Sequence, residues 1–289
     1  MNMSKSTVYF AKEITPENTL KLYEALGITL PGKVAVKLHS GEVGNQNFIR
    51  PPFWKPMIDR VNGTIVECNT AYEGKRNTTK DHWETMKLHG WTDIAAVDIM
   101  DEDGEIVLDV LEGQTIQKNF VGSHIKNYDS MLVLSHFKGH PMGGFGGALK
   151  NISIGIASAH GKAYIHGAGD EEQIWTSDHD EFLESMADAA KSILNYFNGK
   201  IAFINVMANM SVDCDCCAVA EDPAIADIGI LASLDPVALD SACLDLVYAS
   251  KDPGRDHLLE RIESRNGIHT VEAAAKISAG SQEYELITL

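Results

Sequence analysis

An apolar strand that runs straight into a glycine-rich polar loop is the feature that most restricts the fold of this chain. Residues 131–134 are apolar, and the segment that follows them is polar and rich in glycine. Its notable residues are Ser135, His136, Lys138, His140, Gly143, Gly144, Gly146, Gly147, Lys150 and Asn151. In open α/β sheets, ligands bind where the parallel strands end. The pattern therefore predicts an α/β fold with a ligand site at the carboxyl end of this strand.

Further strands alternate with helices on both sides of this stretch. Apolar and alternating segments predict strands at 33–38, 64–68, 94–99, 201–206 and 228–231. Caps and periodicity predict helices at 15–26, 54–61, 80–89, 178–197, 235–248 and 255–264, with a hairpin or edge segment at 101–121. The alternation is typical of a mixed, mainly parallel sheet flanked by helices. At 289 residues the chain forms either one α/β unit or two lobes, about 1–125 and 126–289.

The charge of the chain excludes some partners. The net charge is −17, from 41 acidic against 24 basic residues, and the basic residues are scattered. Such a surface repels a phosphate backbone, so no nucleic-acid partner is expected. No apolar run reaches the ~20 residues of a membrane span, and the N-terminus lacks the apolar core of a signal peptide. We therefore predict a cytoplasmic protein with no membrane partner, and its oligomeric state stays open.

Three of the five cysteines lie close together, at Cys214, Cys216 and Cys217. This tight cluster does not suit a disulfide framework, and in a reducing compartment it indicates metal binding or redox chemistry. In an extended segment Cys214 and Cys216 point the same way, so both reach one metal. The spacing fits neither a ferredoxin run nor a zinc ribbon. The alternative is a set of small buried cysteines after a strand.

The flanking acids, Asp213 and Asp215, bear on the chemistry of these cysteines. Repulsion between like charges is expected to raise the pKa values of the thiols. Such cysteines are poor nucleophiles at neutral pH, whereas a bound cation reverses the penalty. The sequence therefore favours metal or cluster ligation over nucleophilic catalysis.

Two histidines and two lysines are the candidate catalytic groups. His136 and His140 are four residues apart, a spacing that puts both on one face of a helix. The glycine and proline around His140 favour a loop instead. As metal ligands the two histidines join the cysteines, and the alternative is that they bond to the backbone or to a substrate carboxylate. Lys138 and Lys150 complete the predicted catalytic set.

The predicted substrate contacts come from strand ends and from the glycine loop. They are Lys37, His39, Glu42, Asn45, Gly143, Gly144, Gly146, Gly147, Asn151 and Lys162. The glycine loop matches no nucleotide-binding motif, but it allows the backbone to approach an anion closely. The alternative is tight packing against a neighbouring strand. Lysines in an otherwise acidic protein suit a small anionic substrate.

Four segments together resemble a known family. They are residues 37–45, 135–151, 214–216 and 228–240. They resemble the domain of unknown function 362 family, whose members are often described as uncharacterised iron–sulfur centre proteins, and the resemblance covers nearly the whole chain. It implies a metal or Fe–S role. Many relatives look like this domain with a ferredoxin module attached. This sequence lacks the ferredoxin cysteine run, so a cluster would rest on Cys214, Cys216 and Cys217.

These observations predict a metal- or Fe–S-binding protein with a redox or metal-assisted activity on a small anionic substrate. A redox partner protein is compatible with that role. Two alternatives stay open. One is a zinc- or nickel-dependent hydrolase or isomerase whose metal is held by histidines. The other is a protein that binds a small ligand without chemistry.

Overall fold

The computed structural model describes residues 5–289, and one large sheet runs through them. The strands are β1 (Ser6–Ala11), β2 (Val34–Lys37), β3 (Thr64–Glu67), β4 (Val97–Ile99), β5 (Glu105–Asp109), β6 (Lys118–Gly122), β7 (Ser130–His136), β8 (Lys138–His140), β9 (Gly144–Gly146), β10 (Ile201–Met207), β11 (Gly229–Ser233) and β12 (Tyr284–Thr288). Eight of them form the main sheet in the order β12-β1-β11-β10-β7-β2-β3-β4. All run in one direction except β11, which is antiparallel to both neighbours. The sheet is mixed and mainly parallel, as predicted.

Helices cover both faces of this sheet. They are α1 (Pro16–Ala25), α2 (Pro51–Val61), α3 (Thr79–Leu88), α4 (Ala148–Ile152), α5 (Ala159–His166), α6 (His179–Phe197), α7 (Pro236–Ala249), α8 (Arg255–Ser264) and α9 (Ile268–Lys276). The caps read from the sequence are present, because the side chains of Thr15 and Asp235 accept hydrogen bonds from backbone N–H groups of the first helical turns.

Strand β7 shows how the two faces are packed. All seven of its residues are buried. Met131 and Val133 belong to the core on the side of α6 and α7, whereas Leu132 and Leu134 belong to the core on the side of α1 and α2. A parallel strand covered on both faces needs apolar residues on both sides, which is why residues 131–134 are apolar without alternation.

The secondary structure predicted from the sequence is largely confirmed. Helix α2 begins at residue 51 rather than 54, because proline is tolerated in the first helical turn. The segment predicted as a loop around residues 136–146 forms the hairpin β8–β9, with Gly144 at a φ of +75°. The sequence reading missed β1, β12, α4, α5 and α9. The hairpin predicted within 101–121 is β5–β6, and it pairs apart from the main sheet.

Strands from both halves of the chain pair within the main sheet, as β2 and β7 do. The proposed division into lobes near residue 125 stays a prediction. Across residues 5–289, no helix combines the length and the apolar character that crossing a membrane requires.

Candidate metal centre and anion cleft

The carboxyl ends of four neighbouring strands, β10, β7, β2 and β3, meet at one edge of the sheet. A cavity of about 50 Å³ lies there. The predicted site residues that line it are Lys37, His39, His136, Lys138, Gly146, Gly147, Lys150, Asn151, Lys162 and Cys216. The structure therefore brings together most of the side chains that follow these strands in the sequence.

Glu42 and Asn45 lie outside this lining, where they hold loops in place. The Glu42 carboxylate accepts a hydrogen bond from the backbone N–H of Lys75 at 3.0 Å. The Asn45 side chain donates to the carbonyl oxygen of Cys217 at 2.9 Å, so it fixes the cysteine segment. Gly143 ends the turn of the β8–β9 hairpin and Gly144 begins β9, and both lie outside the lining.

His140, Cys214 and Cys216 form the candidate metal centre. One donor atom from each residue lies within 4.8 Å of the other two. Cys214 is fully buried, and Cys216 reaches the lining of the cavity. Soft thiol donors with an imidazole suit zinc, iron or another transition metal. Cys217 is not part of this trio.

The ring of His140 is oriented by the hairpin turn. Its Nδ1 accepts hydrogen bonds from the backbone N–H groups of Gly143 at 2.8 Å and Met142 at 3.2 Å. Because Nδ1 is an acceptor, the proton of the neutral ring is on Nε2. His140 therefore has to change its tautomer or its ring orientation before Nε2 binds a metal. The two thiols are the primary donors of the trio.

His136 is engaged elsewhere. Its Nδ1 lies 2.9 Å from the carboxylate of Asp215, and its Nε2 lies 2.6 Å from the carbonyl oxygen of Ala208. Neither nitrogen is free to bind a metal in this arrangement. The structure thus separates the two predicted histidine ligands, because His140 lies with Cys214 and Cys216 whereas His136 binds Asp215 and the carbonyl oxygen of Ala208.

The acids beside the cysteines do not act on Cys214 as expected. Asp215 pairs with His136 and with Lys138 at 3.3 Å, and Asp213 pairs with Arg261 at 3.2 Å. Burial and the neighbouring Cys216 raise the pKa of Cys214, but the charges of Lys150 and Lys138 bring it below its ordinary value. The predicted increase is therefore wrong for this thiol.

Cys216 does show a raised pKa. A hydrogen bond with Cys214 lowers it, but the interaction with Cys217 and burial together outweigh that effect. The pKa of Cys217 is lowered, and its hydrogen bond with Cys216 is the main cause. The three thiols thus influence one another more than the flanking acids do.

Lysines dominate the rest of the cleft, and they differ in their partners. Lys37 pairs with Glu67 at 2.7 Å, whereas Lys162 donates to the backbone carbonyls of Ala157 and Cys68. Burial lowers the pKa of Lys37 and that of Lys162. Within the described part of the chain, Lys150 has neither an ion-pair nor a hydrogen-bond partner for its ammonium group.

Asp240, a buried acid on the apolar helix α7, has a role in the site that was not predicted from the sequence. Its carboxylate accepts hydrogen bonds from the backbone N–H groups of Ala148 (2.8 Å) and Leu149 (2.9 Å), and from the Asn205 side chain (2.7 Å). A Cβ added to Gly147 would lie 2.3 Å from Asp240 Oδ1. The anion that the glycine loop approaches is therefore a carboxylate of the same chain. An acid in the middle of an apolar helix was the available signal.

Arg76 was also missed, because a single arginine in a loop belongs to no pattern. It follows β3, is 3% exposed and lines the cavity. Its Nε donates to Glu42 at 3.2 Å, which ties it to the loop after β2.

The fold and the site define an α/β protein with a thiol–histidine centre beside a cationic cleft at the carboxyl edge of its sheet. Residues 34–245 match a family described as "Domain of unknown function (DUF362)", and the chain belongs to that family. The resemblance seen in the sequence is thereby confirmed. No curated protein matches the chain.

Two solved structures are similar to it. One is the lactate racemase apoprotein from Thermoanaerobacterium thermosaccharolyticum, at 15% identity and a TM-score of 0.42, with 71% of this chain and 52% of that one covered. The other is a protein from Thermotoga maritima, at 13% identity and a TM-score of 0.43, with 90% of this chain and 58% of that one covered. The chain thus spans little more than half the length of each.

Proposed function

We propose that this protein binds a metal ion or an Fe–S cluster through Cys214 and Cys216, and acts on a small anionic molecule in the adjoining cleft. One observation carries the proposal. The trio of His140, Cys214 and Cys216 lies at the edge of a cavity whose lining includes five cationic side chains, and Cys216 belongs to both. A metal at this place would supply Lewis-acid or redox chemistry next to the bound molecule.

The residues of the chain have separate tasks in this proposal. Lys138 and Lys150 place positive charge beside Cys214, which favours the thiolate that a metal requires. Lys37 and Lys162 line the cleft, where their charges attract an anion. Since burial lowers the pKa values of both lysines, either amine loses its proton more readily than an exposed lysine does. A redox activity would also need a partner protein. Because Cys214 is fully buried, electrons would have to reach it through Cys216, which lines the cleft.

The free thiols support a cytoplasmic location. All five cysteines lie within the described residues and none is paired in a disulfide. Reduced cysteines are what a reducing compartment maintains.

A second candidate is a zinc- or nickel-dependent enzyme without redox chemistry, such as a hydrolase or an isomerase. The number of donors favours it, because the trio offers three ligands and leaves a fourth position for substrate or water. The cysteines are then ligands together with His140, rather than secondary to histidines.

The test is elemental analysis with a visible absorption spectrum on protein purified without air. Iron with inorganic sulfide and a visible band supports the cluster. One zinc or nickel per chain without colour supports the second candidate. Protein that holds no metal, even after incubation with iron, zinc or nickel, contradicts both. For substitutions of Cys214 and Cys216, the matched control is Cys243→Ala. This buried thiol lies in α7 and outside the trio, so its removal should leave the metal content unchanged.

A further inference from the structure

We infer that the ligand of the cleft is a small carboxylate whose oxygen is held by the guanidinium of Arg76. This inference rests on the proposed function, because it names the anion on which the protein acts. It assigns a binding role to Arg76 that neither the sequence pattern nor the family description provides.

The first observation is a buried donor that lacks a partner. Nε of Arg76 is occupied by Glu42. Nη2 is buried, and among residues 5–289 no group accepts a hydrogen bond from it. A buried guanidinium N–H without an acceptor is costly. Because the Arg76 side chain lines the cavity, an anionic oxygen bound against its guanidinium would supply the missing acceptor.

The second observation is the charge around the cavity. Five cationic side chains line it, and Glu67 is the one carboxylate among its lining residues in the described chain. The cations are Lys37, Arg76, Lys138, Lys150 and Lys162. Even with Glu42 and Asp215 included as partners behind the lining, positive groups outnumber the carboxylates. An excess of cations in a protein with a net charge of −17 indicates a site for an anion.

The third observation favours a carboxylate over a phosphate. A phosphate at a glycine loop uses the backbone N–H groups of the following helix. Here the N–H groups of Ala148 and Leu149 already bind the carboxylate of Asp240. The volume of about 50 Å³ also suits a molecule of few atoms. The planar edge of a guanidinium matches a carboxylate well.

The position of Arg76 connects this anion to the metal centre. Arg76 and Cys216 line the same cavity, as do Lys150 and the ring of Tyr72. A carboxylate on Arg76 therefore lies beside the thiol that faces the cleft.

The experiment measures binding of malonate and of inorganic phosphate at constant ionic strength, by calorimetry on the full chain. The variants are Arg76→Lys and, as the matched control, Arg50→Lys. Arg50 lies over the ring of Phe48, outside the cavity lining. We expect malonate to bind more tightly than phosphate, with at least a ~10-fold loss of affinity in Arg76→Lys and no change in Arg50→Lys.

A second variant guards against misfolding of Arg76→Lys. Lys150→Met removes a charge that has no partner among the described residues, so it leaves no buried acid unpaired, and a malonate affinity reduced by about 5-fold is expected. Equal malonate affinity in wild type and Arg76→Lys overturns the inference, as does preferential binding of phosphate or no binding of malonate to folded protein.

Metal content is measured on the same samples to keep the two proposals apart. Malonate binding that depends on Arg76 in protein without metal supports the carboxylate site while the metal proposal fails. Retained metal together with malonate binding that is insensitive to Arg76 supports the metal proposal and contradicts the carboxylate site at Arg76.

Discussion

Among residues 5–289, two groups of side chains place three potential metal ligands within 4.8 Å of one another, and they differ in almost every other respect. One is the buried trio of His140, Cys214 and Cys216. The other, which we call the surface trio, consists of Asp98, Glu102 and His124 and is partly exposed. Proximity of donors alone therefore does not identify a metal site.

The side chains of the surface trio already have hydrogen-bond partners within the protein. His124 lies between two carboxylates, with Nδ1 at 2.8 Å from Asp98 and Nε2 at 3.0 Å from Asp103. Tyr128 donates to Asp98, and Trp83 donates to Glu102. An ion there would have to displace hydrogen bonds that protein groups make. The buried trio instead adjoins a cavity. The nearby charges that lower the pKa of its Cys214 thiol are those of Lys138 and Lys150.

The largest expected effect comes from removing the two thiols. Cys214→Ser/Cys216→Ser should lose at least ~100-fold in metal affinity, because both primary donors are gone. Asp98→Asn/His124→Gln should retain the metal. Cys217→Ser is the nearest control, since this cysteine is outside the trio. Mass spectrometry after anaerobic purification measures the metal content of each variant. Loss of metal in Asp98→Asn/His124→Gln, but not in the cysteine variant, would assign the metal to the surface trio instead.

The next effect distinguishes a buried histidine from one in the surface trio by the sign of its pH dependence. Burial lowers the pKa of His166 to about 4, so below pH ~6.5 the unfolded chain takes up a proton that the folded protein refuses. The free energy of unfolding therefore falls as the pH drops from about 6.5 to about 4. His124 behaves in the opposite way, because its hydrogen bond to Asp98 raises its pKa and this stabilisation is lost as the pH rises.

The variants are His166→Phe and His124→Gln, compared by urea unfolding at pH 8 and at pH 5. His166→Phe should remove roughly 3 kcal/mol of the acid-induced loss over the full window, of which part is seen at pH 5. The aromatic ring retains the stacking of His166 on Phe182. An unchanged difference between the two pH values in His166→Phe contradicts the assignment.

A smaller effect compares a buried carboxylate with Asp98 of the surface trio. Asp240→Asn replaces an acceptor of three N–H groups by an amide that also donates, so at least one buried N–H loses its partner. We expect a loss of about 2 kcal/mol in the free energy of unfolding. Asp98→Asn should cost less than about 1 kcal/mol. Urea titration at neutral pH measures both, and equal costs would argue against Asp240 as the support of α4.

The sequence was sufficient to predict the strands whose apolar pattern is strong, such as β7 and β10. It was also sufficient to predict that the polar residues after them lie at one edge of the sheet. It was insufficient for β12, an edge strand that is mostly exposed and carries Glu285 within it. Cys214 and Cys216 do lie close together, but in a turn that a 2.9 Å hydrogen bond from the Cys217 N–H to the Cys214 carbonyl closes, not in the extended segment predicted from their spacing. Their electrostatics depended on where Asp215 points, which is set by His136, a residue 79 positions away. Arg76 and Asp240 act through tertiary partners that no local pattern reveals.

The hydrogen bonds of Asp240 join residues 91 and 92 positions apart in the chain. Contacts of such high sequence separation form late in folding, because they stabilise the chain only after the entropy cost of closing a large loop has been met. The ribosome has to deliver Asp240 on α7 before α4, and with it Lys150, can be fixed. We expect a nascent chain that ends before α7 to contain all five cations of the cleft and both thiols, and yet to lack their arrangement.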